Sequence, residues 1–142
     1  MAPSADVEPA SLSQLPWAVT RAEFERAAGE VEQDGAVCVF VIDDSIPKEA
    51  RSGYAALVIA YARADEPVLI LEDGGAALLI RDGGTTAGEV AARRVLSQMR
   101  RLALNRTLRA GVVELGDDCN AAVREARNAA ESGSAGEVAV ER

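Results

Sequence analysis

The stretch Pro67-Val-Leu-Ile-Leu-Glu-Asp-Gly-Gly-Ala-Ala-Leu-Leu-Ile-Arg-Asp82 sets two apolar runs back to back around Asp73-Gly74-Gly75. A short Asp-Gly turn between apolar runs is the strongest local signal of a β-hairpin, because glycine supplies the positive φ that the turn needs. A buried hairpin is therefore expected at the centre of the chain.

Upstream of it, Met1 to Gln14 is rich in Pro, Ser and Ala without an apolar period. It reads as a flexible tail or linker remnant, leaving a single domain over residues 15–142. From Trp17 to Val31 the apolar Trp17, Phe24, Ala27, Ala28 and Val31 recur at helical spacing and predict a first helix, with Trp17 as a core anchor or tail clasp. Gly35 breaks that pattern, and the β-branched run Ala36-Val-Cys-Val-Phe-Val-Ile42 reads as a strand buried on both faces. Asp43-Asp44-Ser45 ends the strand. Tyr54, Leu57, Val58 and Tyr61, at i, i+3, i+4 and i+7, mark the packed face of a second helix across 48–64.

Downstream, Asp82-Gly83-Gly84 makes a turn, and Thr86-Ala-Gly-Glu89 fits a capping box. Ala92, Val95, Leu96, Met99 and Leu102 then form one apolar face of a third helix. A strand is expected over 107–115, a fourth helix capped by Asp117 or Asp118 through about Glu131, and a short alternating strand over 137–141. The order is α-β-α-β-β-α-β-α-β. A hairpin inside such an alternation excludes an all-parallel doubly wound sheet. The expected class is α+β: a mostly antiparallel five-stranded sheet with a central hairpin, helices packed on it, and ferredoxin-like or palm-like topology. The segment Ala-Gly-Glu-Val at 28–31, 87–90 and 135–138 falls in three different contexts and reads as coincidence of composition.

The chain of 142 residues, 49% hydrophobic and 27% charged, suits one soluble domain. A net charge of −8 argues against nucleic acid as a partner, since phosphate binding releases counterions only from a basic surface. Histidine is absent, which removes the commonest general base and metal ligand, and every Ser-His or Cys-His nucleophile. Cys38 and Cys119 lack metal-site spacing. No apolar run approaches membrane-spanning length and no signal peptide is evident, so a cytoplasmic location without membrane contact is expected.

The Gly-Gly turn followed by Ala-Leu-Leu-Ile-Arg-Asp and a helix resembles the signature hairpin of GGDEF (diguanylate cyclase) domains, and the resemblance runs from about Ser13 to the end. Leu15, Arg21 and Phe24 match the family's opening motif. Val39-Phe-Val-Ile-Asp43 is similar to its first strand, which ends in a metal-binding Asp, and Arg109-Ala-Gly-Val112 to its Ser-Ile-Gly-Val strand. Ala126 to Gly133 looks like a shortened form of its final helix. In an active member two domains face each other, each holding a GTP with Mg²⁺ between the first strand and the hairpin. That chemistry needs carboxylates on both elements.

Here the acidic pair due after the glycines is Ala76-Ala77. In the alternative register Gly74-Gly75 fall at the acids, so that neither alignment supplies the pair. Counterparts of the family's guanine-reading Asn and Asp and of its regulatory Arg-x-x-Asp are also missing. Residual cyclase activity would need a catalytic carboxylate on the hairpin, for which Glu72 is the only candidate. The resemblance thus implies a catalytically inactive GGDEF-like domain, without catalytic residues, cofactor or bound metal. Its role would be that of a regulatory or protein-interaction module in bacterial signalling, self-associating as a homodimer. The alternative is a non-catalytic receptor for GTP or cyclic di-GMP.

Asp43, Asp44, Gly74 and Gly75 are the candidate phosphate or metal contacts, although acids at a strand end and glycines in turns also serve the backbone alone. Arg93, Arg94, Arg100 and Arg101 are the candidate partner-binding residues, within six cations and no acid between Val90 and Val113. The plain reading of those arginines is a solvated helix with cations toward its C-terminus, as the macrodipole favours.

Overall fold

The computed structural model describes residues 18–63, 65–72 and 74–141, without the side chains of Ser52 and Asn105. The expected tail, Leu15, Trp17 and Asp73 lie outside the described residues. In chain order the elements are β1 (Ala18–Val19), α1 (Arg21–Gly29), β2 (Ala36–Ile42), α2 (Lys48–Tyr61), β3 (Val68–Ile70), β4 (Ala76–Ile80), α3 (Gly84–Arg101), a 3₁₀ turn (Asn105–Thr107), β5 (Leu108–Glu114), α4 (Cys119–Ser132) and β6 (Val138–Glu141).

They build a six-stranded sheet in the order β1-β3-β4-β2-β5-β6. The three inner pairings, β3 with β4, β4 with β2 and β2 with β5, are antiparallel, and both edge pairings, β1 with β3 and β5 with β6, are parallel. The sheet is therefore mixed and six-stranded, which corrects the expected mostly antiparallel five-stranded sheet. Two physical causes account for the difference. A strand of two residues carries no readable period, so Ala18–Val19 was absorbed into the helix that follows it. A helix between two neighbouring strands returns the chain to the same end of the sheet, so β5-α4-β6 is a parallel crossover.

Helices cover both faces. On one, Val58 and Ile59 of α2 and Ala92, Val95, Leu96 and Met99 of α3 pack on Cys38, Phe40, Leu78 and Val112. On the other, Phe24 of α1 and Ala122, Val123 and Ala126 of α4 pack on Val37, Val39, Leu69, Ala77 and Leu79. Strands sandwiched this way have no solvent side, which is why β2 and β4 are continuous apolar runs rather than alternating ones. Phe40 and Leu78 are wholly buried, and so is Val39 on the opposite face.

Helix starts follow local chemistry, not always at the expected place. Thr20 caps α1: its Oγ1 accepts from the Glu23 N–H at 3.1 Å, while a Glu23 carboxylate oxygen accepts from the Thr20 N–H at 2.8 Å, a complete capping box. Those bonds hold the Glu23 carboxyl below its usual range. The box expected at Thr86 does not form. α3 begins three residues earlier, its N-cap Gly83 is left-handed with φ 96°, and Glu89 pairs with Arg93 instead. Of the two candidate caps of α4, Asp118 does the work, accepting from the N–H groups of Asn120 and Ala121.

Candidate functional site

The hairpin tip and the C-terminal end of β2 meet at one end of the sheet. Leu71 donates its N–H to the Gly75 carbonyl at 2.8 Å, and Gly74 donates to the Leu71 carbonyl at 3.0 Å. With Gly74 at φ 94°, this is a three-residue hairpin loop closing on a left-handed glycine. A Cβ on Gly74 would stand 2.7 Å from the Cβ of Arg51 and 3.4 Å from Cδ1 of Ile42, so the tip lies directly against α2 and the end of β2. The glycine-bearing turn and Asp43 thus belong to one region, as the sequence suggested.

Asp43 is held there by several bonds. Its N–H donates to the Thr107 carbonyl at 2.8 Å, and its own carbonyl accepts from Ile46 at 3.0 Å. One carboxylate oxygen accepts from both the N–H and the hydroxyl of Ser45. The other faces the Arg109 guanidinium at 3.9 Å. Arg51 adds a second cation, donating to the Ile46 and Asp43 carbonyls. The Ser45 hydroxyl and N–H hold the Asp43 carboxyl below its ordinary range, with Arg109 and Arg51 assisting.

Arg109 and, at longer range, Arg51 thus act electrostatically on the Asp43 carboxylate at the end of β2. Asp44 is exposed beyond it. Among the described residues, no three His, Cys, Asp or Glu side chains gather as a cation would require.

In the sequence Arg109 stands among six nearby cations and at the head of the Arg109-Ala-Gly-Val112 strand; its register opposite Val41 on β5 is what carries it to Asp43. Its Nε is buried with no hydrogen-bond partner among the described residues. Gly75 is followed by Ala76 and Ala77, both wholly buried and paired with Phe40 and Val39 of β2.

The four arginines of α3 do not form one surface. Arg94 turns inward, donating to the Tyr61 carbonyl at 3.2 Å and pairing with Glu66, a carboxylate that also accepts from the Arg63 N–H. It ties α3 to the end of α2. Arg93 bonds Glu89 one turn earlier, and with Arg100 it faces Gly136 to Val138 at the start of β6. Arg101 is exposed in the last turn.

Neither cysteine is a nucleophile of this site. The Cys38 thiol is fully buried, donates to the Gly88 carbonyl at 3.2 Å, and has its pKa pushed far up by burial. Burial, Glu25 and Asp118 likewise raise that of Cys119.

No protein-family model and no curated protein matches the sequence. Solved structures do match. The chain is similar to the GGDEF domain of YfiN (TpbB) from Pseudomonas aeruginosa, with a TM-score of 0.65 and 18% identity over 95% of each chain. It is similar to DgcB from Caulobacter crescentus, comprising a coiled coil and GGDEF domain in complex with c-di-GMP, with a TM-score of 0.66 and 17% identity over 92% of this chain and 83% of that one. The GGDEF domain of FimX from Pseudomonas aeruginosa gives 0.62 and 18% over 94% and 98%. The chain therefore has the fold of GGDEF domains from end to end of the described residues, and at these identities its chemistry rests on its own side chains.

Proposed function

We propose that this chain is a GGDEF-like domain that does not make cyclic di-GMP and serves as a regulatory or protein-interaction module in cyclic di-GMP signalling. The observation that carries the reading is the pair Ala76-Ala77, wholly buried behind the glycine turn. Joining two nucleotides through a triphosphate needs metal ions held by carboxylates from both the strand and the hairpin. Here the hairpin offers methyl groups packed into the two cores, where a carboxylate would be desolvated.

Asp43 supports the same reading. Its charge is met by Ser45, Arg109 and Arg51, so fixed guanidiniums stand where a divalent cation would have to compete with them. Self-association through this domain is part of the proposal, as the resemblance implies, and so is a protein partner.

A second reading, a receptor for GTP or cyclic di-GMP without turnover, is favoured by one observation: the structurally similar DgcB GGDEF domain is in complex with c-di-GMP. Thermal unfolding separates the two. A ligand present at about 100 times its dissociation constant adds about 2.7 kcal/mol, several degrees for a domain of this size. Unfolding unchanged by Mg²⁺, GTP and cyclic di-GMP, or shifted equally in the parent and in Asp43→Ala, supports the interaction module. A clear shift with either nucleotide, lost in Asp43→Ala, establishes the receptor instead.

A further inference from the structure

A cavity of about 700 Å³ opens between the start of α1, the hairpin loop and one face of α4. Asn120, Val123, Arg124 and Arg127 line it at i, i+3, i+4 and i+7, a single helix face. Val123 and Leu71, each 7% exposed, give it an apolar floor. Arg21, the first residue of α1, closes the near side. Its guanidinium donates to Oδ1 of Asn120 at 2.6 Å, and the Asn120 amide donates to Glu25 at 2.9 Å, which fixes that amide in place.

Three guanidiniums thus converge on one groove of a chain whose net charge is −8. Like charges three residues apart on a helix repel, and Arg124 and Arg127 stand so on this face, which favours an anion between them. Glu131 offsets part of the repulsion, lying 3.3 Å from Arg127 Nε. Glu72, on the hairpin side, is the only carboxylate among the described lining residues.

We propose that this groove binds a soluble phosphate ester. The phosphate sits between Arg124 and Arg127, whose planar forks match its oxygens, with Arg21 and Asn120 at the rim. The organic part lies on Leu71 and Val123, and Glu72 keeps the anionic end on the α4 side. The lining takes Leu71 and Glu72 from the hairpin but shares no residue with Asp43, Asp44, Gly74 or Gly75, so the proposal does not depend on whether those four contact phosphate.

The test is an NMR titration of the ¹⁵N-labelled full chain with inorganic pyrophosphate and with adenosine monophosphate, using adenosine as the uncharged control. Both phosphates are expected to move the amides of Asn120, Arg124 and Arg127, and the nucleotide also that of Leu71. Arg124→Glu is expected to weaken both about tenfold or more with its spectrum still that of a folded protein, while Arg26→Ala on the exposed side of α1 binds as the parent does. The proposal is overturned by any of four results: no shifts, shifts mapping elsewhere, pyrophosphate binding without the nucleotide, or unchanged affinity in Arg124→Glu.

Discussion

Gly111, in the middle of β5, shows how one side chain fewer sets the distance between layers. A Cβ there would lie 2.0 Å from the Ala126 carbonyl oxygen and 2.6 Å from the Ala130 nitrogen, both backbone atoms of α4. Nothing flexible can give way, so Gly111→Ala is expected to lower stability by about 3 kcal/mol or more in denaturant unfolding, at the upper end of overpacking costs. Thr20 and Thr86 make a paired prediction. Thr20→Ala removes a formed capping box and should cost about 1 kcal/mol. Thr86→Ala, inside an exposed first turn, should stay within about 0.5 kcal/mol. Both sites read Thr-x-x-Glu, and sequence spacing alone cannot tell them apart; the turn at Gly83 decides against the second.

Asp43 predicts a pH dependence. Its carboxyl is held below the value of about 3.9 that an unfolded Asp takes, so the unfolded chain binds the more protons in acid. The stabilisation is complete above that unfolded value and disappears as pH falls through the lower folded one. Unfolding followed from pH 7 into the acid range should show a shallower loss of stability in Asp43→Asn than in the parent. An identical slope would mean that the Ser45 bonds do not hold the carboxylate in solution.

Among elements, α3 and the turn after α2 are joined by Arg94 and Glu66, whose side chains are 23% and 11% exposed. Removing one member leaves the other's charge half-buried beside apolar groups. Glu66→Ala should cost about 2–3 kcal/mol, and the double variant Glu66→Ala/Arg94→Ala less than the sum of the two singles. The sequence places Arg94 in a run of cations on a helix and so suggests a surface residue. Only the fold brings Glu66, 28 residues earlier, beneath it.

The same limit explains which elements were legible. The hairpin, β2, α2, α3 and α4 announce themselves because each buries a periodic or continuous apolar stretch, and a stretch of that kind is local information. The edge strand Ala18–Val19 and the parallel pairing of β6 depend on partners about 50 and 28 residues away, Val68 and Ala110, and leave no local trace. At the site, the meeting of the glycine turn with Asp43 was readable from the resemblance. The cations around Asp43 were not, since Arg109 and Arg51 reach it through strand register and a loop.

On the scale of the whole molecule, the chain has the layered fold of GGDEF domains, and in the proposed reading the end of its sheet that holds Ala76, Ala77, Arg109 and Arg51 carries no turnover. A scaffold retained without its carboxylates is the central claim, and it concerns turnover. The most direct measurement is incubation of the purified full chain with GTP and Mg²⁺, over a range of protein concentrations that would allow self-association, with cyclic di-GMP quantified by mass spectrometry. The account predicts no product above that of a heat-denatured control. Product that accumulates with time and disappears in Asp43→Ala or Glu72→Ala would contradict it, and would place a working carboxylate on the hairpin after all.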